Sequence, residues 1–150
     1  MIVKYIAGNI VKIFLAGGNI AHGCNCFCTM GAGVAGQLAK AYPPIYAIDA
    51  ESAYGDEVKL GTFTQATGKF GQICFNLYTQ YEPGPNLDYG ALVNCMIELN
   101  EWGANKINSP VIYMPRIGCG IAGGDWEKVS KLIGMFTPNL EIVIVDWDGN

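Results

Sequence analysis

Short apolar segments of strand character alternate with helical segments along this chain, and that order limits the fold more than any other feature. β-Branched, strand-like segments begin at Ile2 and Glu141, and "PVIYMP" (110–115) is a nearly continuous apolar run, typical of a central strand. Residues 88–103 carry an apolar stripe at helical spacing. The alternation predicts an α/β fold, a three-layer α/β/α sandwich with a central mixed sheet.

Helix signals mark the remaining elements. A helix over 34–42 is expected to stop at Pro43-Pro44, and a second helix is expected over 45–55, ending at Gly55. Asp125 is a candidate N-cap for a helix over 126–136. Strand character recurs at 60–67 and 71–80, with Gly68 near the turn between them. The segment 11–16 fits either a strand or a short helical turn.

Composition limits the class of protein. The chain has 150 residues, 51% hydrophobic and 15% charged, which predicts one globular domain spanning 1–150. Its net charge is −4 with only nine lysines and arginines, so we do not expect it to bind a nucleic-acid backbone, although the exposed end of a nucleic acid stays open. No leader or membrane-spanning run is visible, and we expect a cytoplasmic monomer.

Two glycine-rich loops share one design. The loop 25–35 and the loop 116–126 each join a strand to a helix and contain several glycines. Glycine lets the backbone approach a ligand, and successive N–H groups beside a helix N-terminus can form an anion-binding nest. Two such loops could hold two phosphates, so a pyrophosphate is the natural ligand.

The alternative interpretation is that these glycines only make tight turns. Neither loop matches the P-loop motif, and "GAGVAG" (31–36) fits dinucleotide-binding glycine spacing only by accident, because a long loop separates it from its strand. Two matched loops favour ligand binding over turns alone.

At these residues the chain resembles the macrodomain family, α/β/α modules that bind ADP-ribose. The resemblance rests on "IAGNIVK", "IAHGCNCFCTMGAGVAGQLAKAYP", "NLYTQ" and "MPRIGCGIAGGDWEKV", in the family's order and over nearly the whole length. These motifs are most similar to the branch that contains ADP-ribose-1″-phosphate phosphatases. That resemblance implies ADP-ribose or ADP-ribose-1″-phosphate as ligand, and no cofactor.

The resemblance also assigns the site. Asn9 stands where the family has an aspartate for the adenine amino group, and its side-chain carbonyl is expected to accept that bond. Asn25 matches the residue that holds the distal ribose, and Trp147 is expected near the adenosine. The full set of expected ligand-binding residues is Gly8, Asn9, Ile10, Ala21, Asn25, Met30, Gly31, Ala32, Gly33, Val34, Ala35, Gln80, Pro115, Arg116, Ile117, Gly118, Cys119, Gly120, Ile121, Ala122 and Trp147.

At two positions this sequence departs from catalytic residues of the family. Relatives that remove ADP-ribose from glutamates use a lysine and an aspartate, which align with Gln80 and Ala122 here. Phosphate removal is therefore the better enzyme hypothesis. His22, the only histidine, could supply or relay the proton because its pKa would lie near neutrality, or it could be a core histidine. Asp125 could orient water or act as base, or only cap its helix.

The cysteines at positions 24, 26 and 28 do not have zinc-site spacing, and no metal is expected. On an extended segment they would share one face and pack as small apolar residues. Cys119, inside an anion loop, could have a lowered pKa and act as nucleophile.

Three functions remain open from sequence. The first is hydrolysis of ADP-ribose-1″-phosphate to ADP-ribose. The second is a non-catalytic module that reads ADP-ribosylated proteins or sequesters free nucleotide. The third is a hydrolase that removes ADP-ribose from modified protein or nucleic acid.

Overall fold

A six-stranded mixed sheet forms the centre of the protein, and a computed structural model describes all residues, 1–150. The strands run in the spatial order β1-β6-β5-β2-β4-β3. Every neighbouring pair is parallel except β3 and β4, which form an antiparallel hairpin around Gly68. The strands are β1 (Ile2–Gly8), β2 (Ile20–Cys24), β3 (Phe63–Thr67), β4 (Ile73–Tyr78), β5 (Val111–Met114) and β6 (Glu141–Trp147). The predicted mixed sheet is confirmed.

Helices cover both faces of this sheet. They are α1 (Ile10–Leu15), α2 (Gly33–Ala41), α3 (Pro44–Glu51), α4 (Tyr89–Ala104) and α5 (Trp126–Phe136), with one 3₁₀ turn at Glu57–Lys59. Buried side chains divide into two clusters, one against α4 and α5 and one against α1, α2 and α3. The three-layer α/β/α prediction is therefore confirmed. None of the helices combines the length and apolar character that crossing a membrane requires.

The stripe predicted on α4 is the centre of one core cluster. Leu92, Cys95, Met96 and Leu99 are fully buried there, while Trp102 is half-buried at the edge. Each fully buried Leu or Met side chain contributes about 2 kcal/mol of transfer free energy. This cluster packs α4 and α5 together on one face of the sheet.

Two local expectations needed resolution by the structure. Most of the segment 11–16 lies in α1 (Ile10–Leu15), whose N-cap Asn9 accepts from the backbone N–H groups of Val11 and Lys12. The helix expected to end at Gly55 ends at Glu51, so that boundary was wrong. Ser52 is extended, and both its hydroxyl and its N–H donate to the Asp49 carbonyl, which closes the helix four residues early.

The chain changes direction in the middle of the sheet. From β5 it crosses through α5 to β6 on one side, and from β2 it passes through α2 and α3 toward β3 and β4 on the other. Ligands in open α/β sheets bind beyond the carboxyl ends of strands at such a switch point. Here that point lies between β2 and β5, where both glycine loops begin.

Candidate functional site

A cavity of about 520 Å³ lies at this switch point. That volume falls within the usual range for small-molecule sites. Most of the predicted binding residues line it: Gly8, Asn9, Ile10, Ala32, Gly33, Val34, Ala35, Gln80, Trp147 and the whole run from Pro115 to Ala122, with His22 as well. Residues far apart in sequence thus meet in one cavity.

The second glycine loop has several backbone N–H groups without an acceptor in the protein. Within this loop the N–H groups of Gly118, Gly120, Ile121 and Ala122 have no acceptor in the chain, whereas those of Cys119, Gly123 and Gly124 bond to loop carbonyls. Three loop bonds therefore hold the turn, and the remaining donors stay available at the cavity. This is the arrangement of an anion nest.

Glycine is required at two positions of this loop. Gly118 has φ +76°, in the left-handed region that side chains rarely adopt. A Cβ on Gly124 would lie 2.3 Å from Leu87 Cδ2 and 2.6 Å from the Gly118 carbonyl oxygen. A Cβ on Gly120, in contrast, would meet nothing within 4 Å. The loop is closely packed behind Gly124 and open at Gly120.

The first glycine loop ends at the N-terminus of α2. Ala32 is the N-cap and has no side-chain oxygen, so no side chain caps the first turn. The N–H groups of Gly33, Val34 and Ala35 precede the first intrahelical bond, from Gly36 to the Ala32 carbonyl, and lack acceptors. Because all three residues line the cavity, a second set of donors meets the first there.

Ile121 connects the two loops. Its Cδ1 lies 3.8 Å from the position that a Cβ would occupy on Gly33, and its side chain is 63% exposed. A large apolar side chain on the outer side of the cavity can cover a ligand held between the loops. Its exposure means that the fold does not depend on it.

The end of β1 forms one extremity of the cavity. Asn9 Oδ1 accepts hydrogen bonds from Val11 N at 2.9 Å and Lys12 N at 3.3 Å. The carbonyl oxygen expected to accept a base amino group therefore already accepts two bonds from the protein. Trp147 pairs with Gly8 in the β1–β6 register and is 69% exposed.

Arg116 and Asp146 form an ion pair at the cavity rim. Arg116 Nε and Nη2 donate to the two carboxylate oxygens at 2.8 and 3.1 Å, and its guanidinium lies over the Trp126 ring. Arg116 thereby lowers the pKa of Asp146 and keeps its carboxylate charged. Both side chains are nearly half exposed, so the pair contributes little to stability.

His22 is buried at the base of the cavity. Its Nε2 lies 2.7 Å from Asn76 Oδ1, and the Asn76 amide nitrogen donates to the Ile45 carbonyl. The amide orientation is therefore fixed, and Nε2 carries the proton. Burial lowers the His22 pKa to about 4, so the expectation of a pKa near neutrality was wrong. His22 is a neutral acceptor at Nδ1, and the Cys24 Sγ lies 3.8 Å from that atom.

Asp125 and Cys119 lack the position or the pKa that their expected catalytic roles require. Asp125 lies outside the cavity and accepts from Glu127 N, as an N-cap of α5. Cys119 lines the cavity, but burial raises the pKa of its thiol, so the lowered pKa expected for a nucleophile was wrong. The thiol of Cys119 donates to the Ile117 carbonyl oxygen at 3.5 Å.

Four predicted binding residues do not line the cavity: Ala21, Asn25, Met30 and Gly31. Ala21 and Met30 are core residues. Asn25 Oδ1 accepts from Phe27 N, and its amide donates to Thr29 Oγ1, so its polar atoms serve its own loop. This turn at 26–27 also makes the extended arrangement of the cysteines wrong, although those at 24 and 26 are buried as expected.

Sequence reasoning missed five lining residues: Gly23, Gln37, Thr79, Val145 and Asp146. Thr79 follows β4 next to Gln80, and Gly23 pairs with Leu77 in the neighbouring strand. Their place at carboxyl ends of parallel strands was the signal available for them. Gln80 lines the cavity, and its amide donates to the Glu82 and Gly84 carbonyls.

Comparison with known proteins identifies relatives. The Macro domain family model matches residues 21–133. The chain is 55% identical over 152 residues to the 17.5 kDa protein of the tk-vs intergenic region of Enterobacteria phage T4, covering 99% of this chain and 98% of that protein.

Two solved structures share the fold. The macrodomain of Thermus aquaticus DarG has a TM-score of 0.76 at 19% identity, covering 95% of this chain and 97% of that one. Thermosipho africanus DarTG in complex with ADP-ribose has a TM-score of 0.73 at 16% identity, covering 85% of this chain and 37% of that one. With the family model matching three quarters of its length, this chain belongs to the macro domain family.

Proposed function

We propose that this protein binds ADP-ribose in the switch-point cavity and hydrolyses ADP-ribose-1″-phosphate to ADP-ribose and phosphate. The observation that carries the proposal is the meeting of two sets of unpaired backbone donors, from Gly118 to Ala122 and from Gly33 to Ala35, in one cavity. Such donors match the oxygens of a pyrophosphate and need no side-chain cation.

The two ends of the cavity suit the rest of such a nucleotide. The exposed ring of Trp147 offers an aromatic surface for a base beside the end of β1. Gly23, Thr79 and Gln80 line the opposite end, where the distal ribose and its phosphate would lie. ADP-ribose is the ligand in the Thermosipho africanus DarTG structure, whose fold this chain shares.

Phosphate removal would require little covalent chemistry from the protein. A water oxygen attacks phosphorus, the bond between phosphorus and O1″ breaks, and O1″ takes a proton from solvent as phosphate leaves. The transition state spreads charge over the phosphoryl oxygens, and preorganised N–H donors stabilise that charge. In this proposal the loop backbone provides most of the acceleration.

In this proposed mechanism His22 is the proton acceptor. Its Nε2 is protonated and bonded to Asn76, so only Nδ1 can receive a proton from the attacking water. With a pKa of about 4 it is a weak base and is neutral throughout the neutral range. We therefore expect the ionisation of His22 to add no pH dependence to phosphatase activity above about pH 5 and to reduce the activity as pH falls through about 4.

One observation favours a second candidate function, a binding module without turnover. Among the ionisable groups on the cavity lining, Asp146 is held by Arg116, and burial raises the Cys119 pKa. By the resemblance, Gln80 and Ala122 stand where the glutamate-specific hydrolases have a lysine and an aspartate. A site with strong donors and weak bases suits retention of ADP-ribose.

The deciding experiment measures phosphate release from ADP-ribose-1″-phosphate by wild type, Gly120→Glu and His22→Ala. We expect turnover by wild type, none by Gly120→Glu, and a reduced rate for His22→Ala. Calorimetric titration with ADP-ribose accompanies each assay. Binding without phosphate release would transfer the assignment to the binding module, and absence of both would refute the proposed function.

A further inference from the structure

One of the six cysteines has an amino group beside its sulfur. Lys59 Nζ lies 3.7 Å from the Sγ of Cys28, whose thiol donates to the Asp49 carbonyl oxygen at 3.1 Å. Cys28 is partly exposed, whereas the cysteines at positions 24, 26, 74 and 95 are buried. Small solutes therefore have access to this residue, which lies outside the lining of the switch-point cavity.

Lys59 is buried without a carboxylate partner. The residue is 7% exposed, and it belongs to neither of the two ion pairs in the protein. Its Nζ donates to the Cys26 carbonyl oxygen at 3.3 Å and lies 4.5 Å from the centre of the Tyr78 ring. A lysine is rarely buried unpaired, because taking an ammonium group out of water is costly. The fold thus holds this amino group next to the sulfur instead of in solvent.

The backbone around Cys28 is closely constrained. Its φ is +55°, and it is the only residue other than glycine with a positive φ, in the left-handed region that side chains rarely adopt. The Cys26 carbonyl accepts from Gly55 N at 2.8 Å as well as from Lys59 Nζ. These bonds connect the cysteine segment to the segment that carries Lys59, so the sulfur and the amine are brought together by two joined pieces of chain.

We propose that Cys28 and Lys59 form a reversible oxidation site, in which a peroxide converts the thiol to a sulfenic acid and the lysine amine captures it as a sulfenamide. The product is an S–N link between the two side chains. Reactive thiols are partly exposed and lie beside a positive group, and sulfenic acids condense with neighbouring nitrogen atoms. This site is independent of any ligand in the cavity.

The two steps balance with hydrogen peroxide as the oxidant. The sulfur attacks one peroxide oxygen, the O–O bond breaks, and the other oxygen leaves with the thiol proton as water. The sulfur loses two electrons, and the peroxide gains them.

The second step needs no further oxidant. Lys59 Nζ gives its ammonium proton to solvent and attacks the sulfur, and its flexible four-carbon stem lets it close the remaining distance. The S–N bond forms as the S–O bond breaks, and the hydroxide leaves with an amine proton as water. A dithiol such as dithiothreitol cleaves the link, is itself oxidised to a disulfide, and restores the thiol and the amine.

The experiment treats the folded protein with hydrogen peroxide, blocks free thiols, and maps tryptic peptides by mass spectrometry without reductant. Trypsin cleaves after lysine and arginine, so Cys28 lies in the peptide 13–40, and a linked Lys59, no longer cleaved, lies in the peptide 41–69. We expect these peptides joined, lighter than their sum by two hydrogen atoms, and separated by dithiothreitol. The peptide 41–69 contains no cysteine, so a disulfide cannot produce this species.

Variants assign the link to these two side chains. Cys28→Ser should abolish it. Lys59→Arg keeps the charge but has no amine that can deprotonate, so its sulfenic acid should persist and be trapped by dimedone, with little trapping in wild type. Lys59→Met, which keeps an unbranched stem, replaces that variant if arginine does not fit.

Three results would overturn the site and leave the proposed function standing. They are an unmodified Cys28 after peroxide treatment of wild type, a disulfide within the peptide 13–40 in place of the link, and equal dimedone trapping in wild type and the Lys59 variants.

Discussion

His22 and Asn76 form a buried pair that joins adjacent strands, with Nε2 of the histidine 2.7 Å from Oδ1 of the asparagine. The Asn76 amide also donates to the Ile45 carbonyl and to Thr64 Oγ1. One asparagine thus connects β2, β3 and the start of α3 beneath the cavity. The pair fixes the histidine tautomer and excludes a charged imidazole from the core.

This burial predicts a specific dependence of stability on pH. The folded-state pKa of His22 is about 4, below the ordinary value of 6.5, so protonation favours the unfolded chain. The associated stability should be fully present above pH 6.5 and lost as pH falls toward 4, by about 3 kcal/mol. Urea unfolding of wild type and His22→Gln between pH 4 and 7 checks this.

The difference in pH-dependent stability between wild type and His22→Gln isolates the contribution of the histidine. Burial raises the Asp49 pKa, which acts in the opposite direction, but Asp49 is present in both proteins. If wild type and His22→Gln lose stability in parallel over this range, the histidine is not buried as the structure has it.

Gly120→Glu should abolish ADP-ribose binding and leave the fold intact. A Cβ at this position meets nothing within 4 Å, so the side chain can be accommodated, while its carboxylate enters the donor-rich loop and repels a pyrophosphate. The matched control is Gly134→Glu on α5, which is equally open and does not line the cavity. Unchanged calorimetric affinity in folded Gly120→Glu would contradict the two-loop site.

Gly124→Ala should destabilise the protein where Gly120→Ala does not. The added methyl group would lie 2.3 Å from Leu87 Cδ2 and 2.6 Å from a backbone oxygen that cannot move freely. Overpacking of this kind costs about 1–3 kcal/mol. Chemical denaturation of the two variants compares them directly, and equal stabilities would show that the loop is not packed against Leu87.

Ile121→Ala should accelerate ligand release without affecting stability. The side chain is 63% exposed and sits between the loops, so its loss should change the free energy of unfolding by less than about 0.5 kcal/mol. Removing apolar cover from a bound nucleotide should raise the dissociation rate about tenfold. Stopped-flow release of a fluorescent ADP-ribose analogue measures it, and an unchanged rate would exclude a covering role.

Periodicity and loop composition predicted the layers and most of the cavity. The apolar stripe of α4 and the apolar run of β5 are local patterns that depend only on which side chains are buried. Both elements form at the positions that these patterns predict. Parallel pairing then brings the two glycine loops together, because both follow the carboxyl ends of adjacent strands.

Properties that depend on a single partner could not be predicted in this way. The His22 pKa is set by burial and by Asn76, which lies 54 residues away in the chain. The Asn9 oxygen is engaged by a helix whose existence the sequence left open. Asn25 matches its motif, yet its polar atoms bond to Phe27 and Thr29, since the turn there needs them.

The position of the two loops has a further consequence for motion. One loop leads into α2 and the other into α5, and these helices lie on opposite faces of the sheet. A molecule bound by both loops would link the two outer helix layers across the edge of the sheet. Amide hydrogen exchange at the start of α2 and at the start of α5 would then slow in concert upon binding, although no side chain of one helix needs to touch the other.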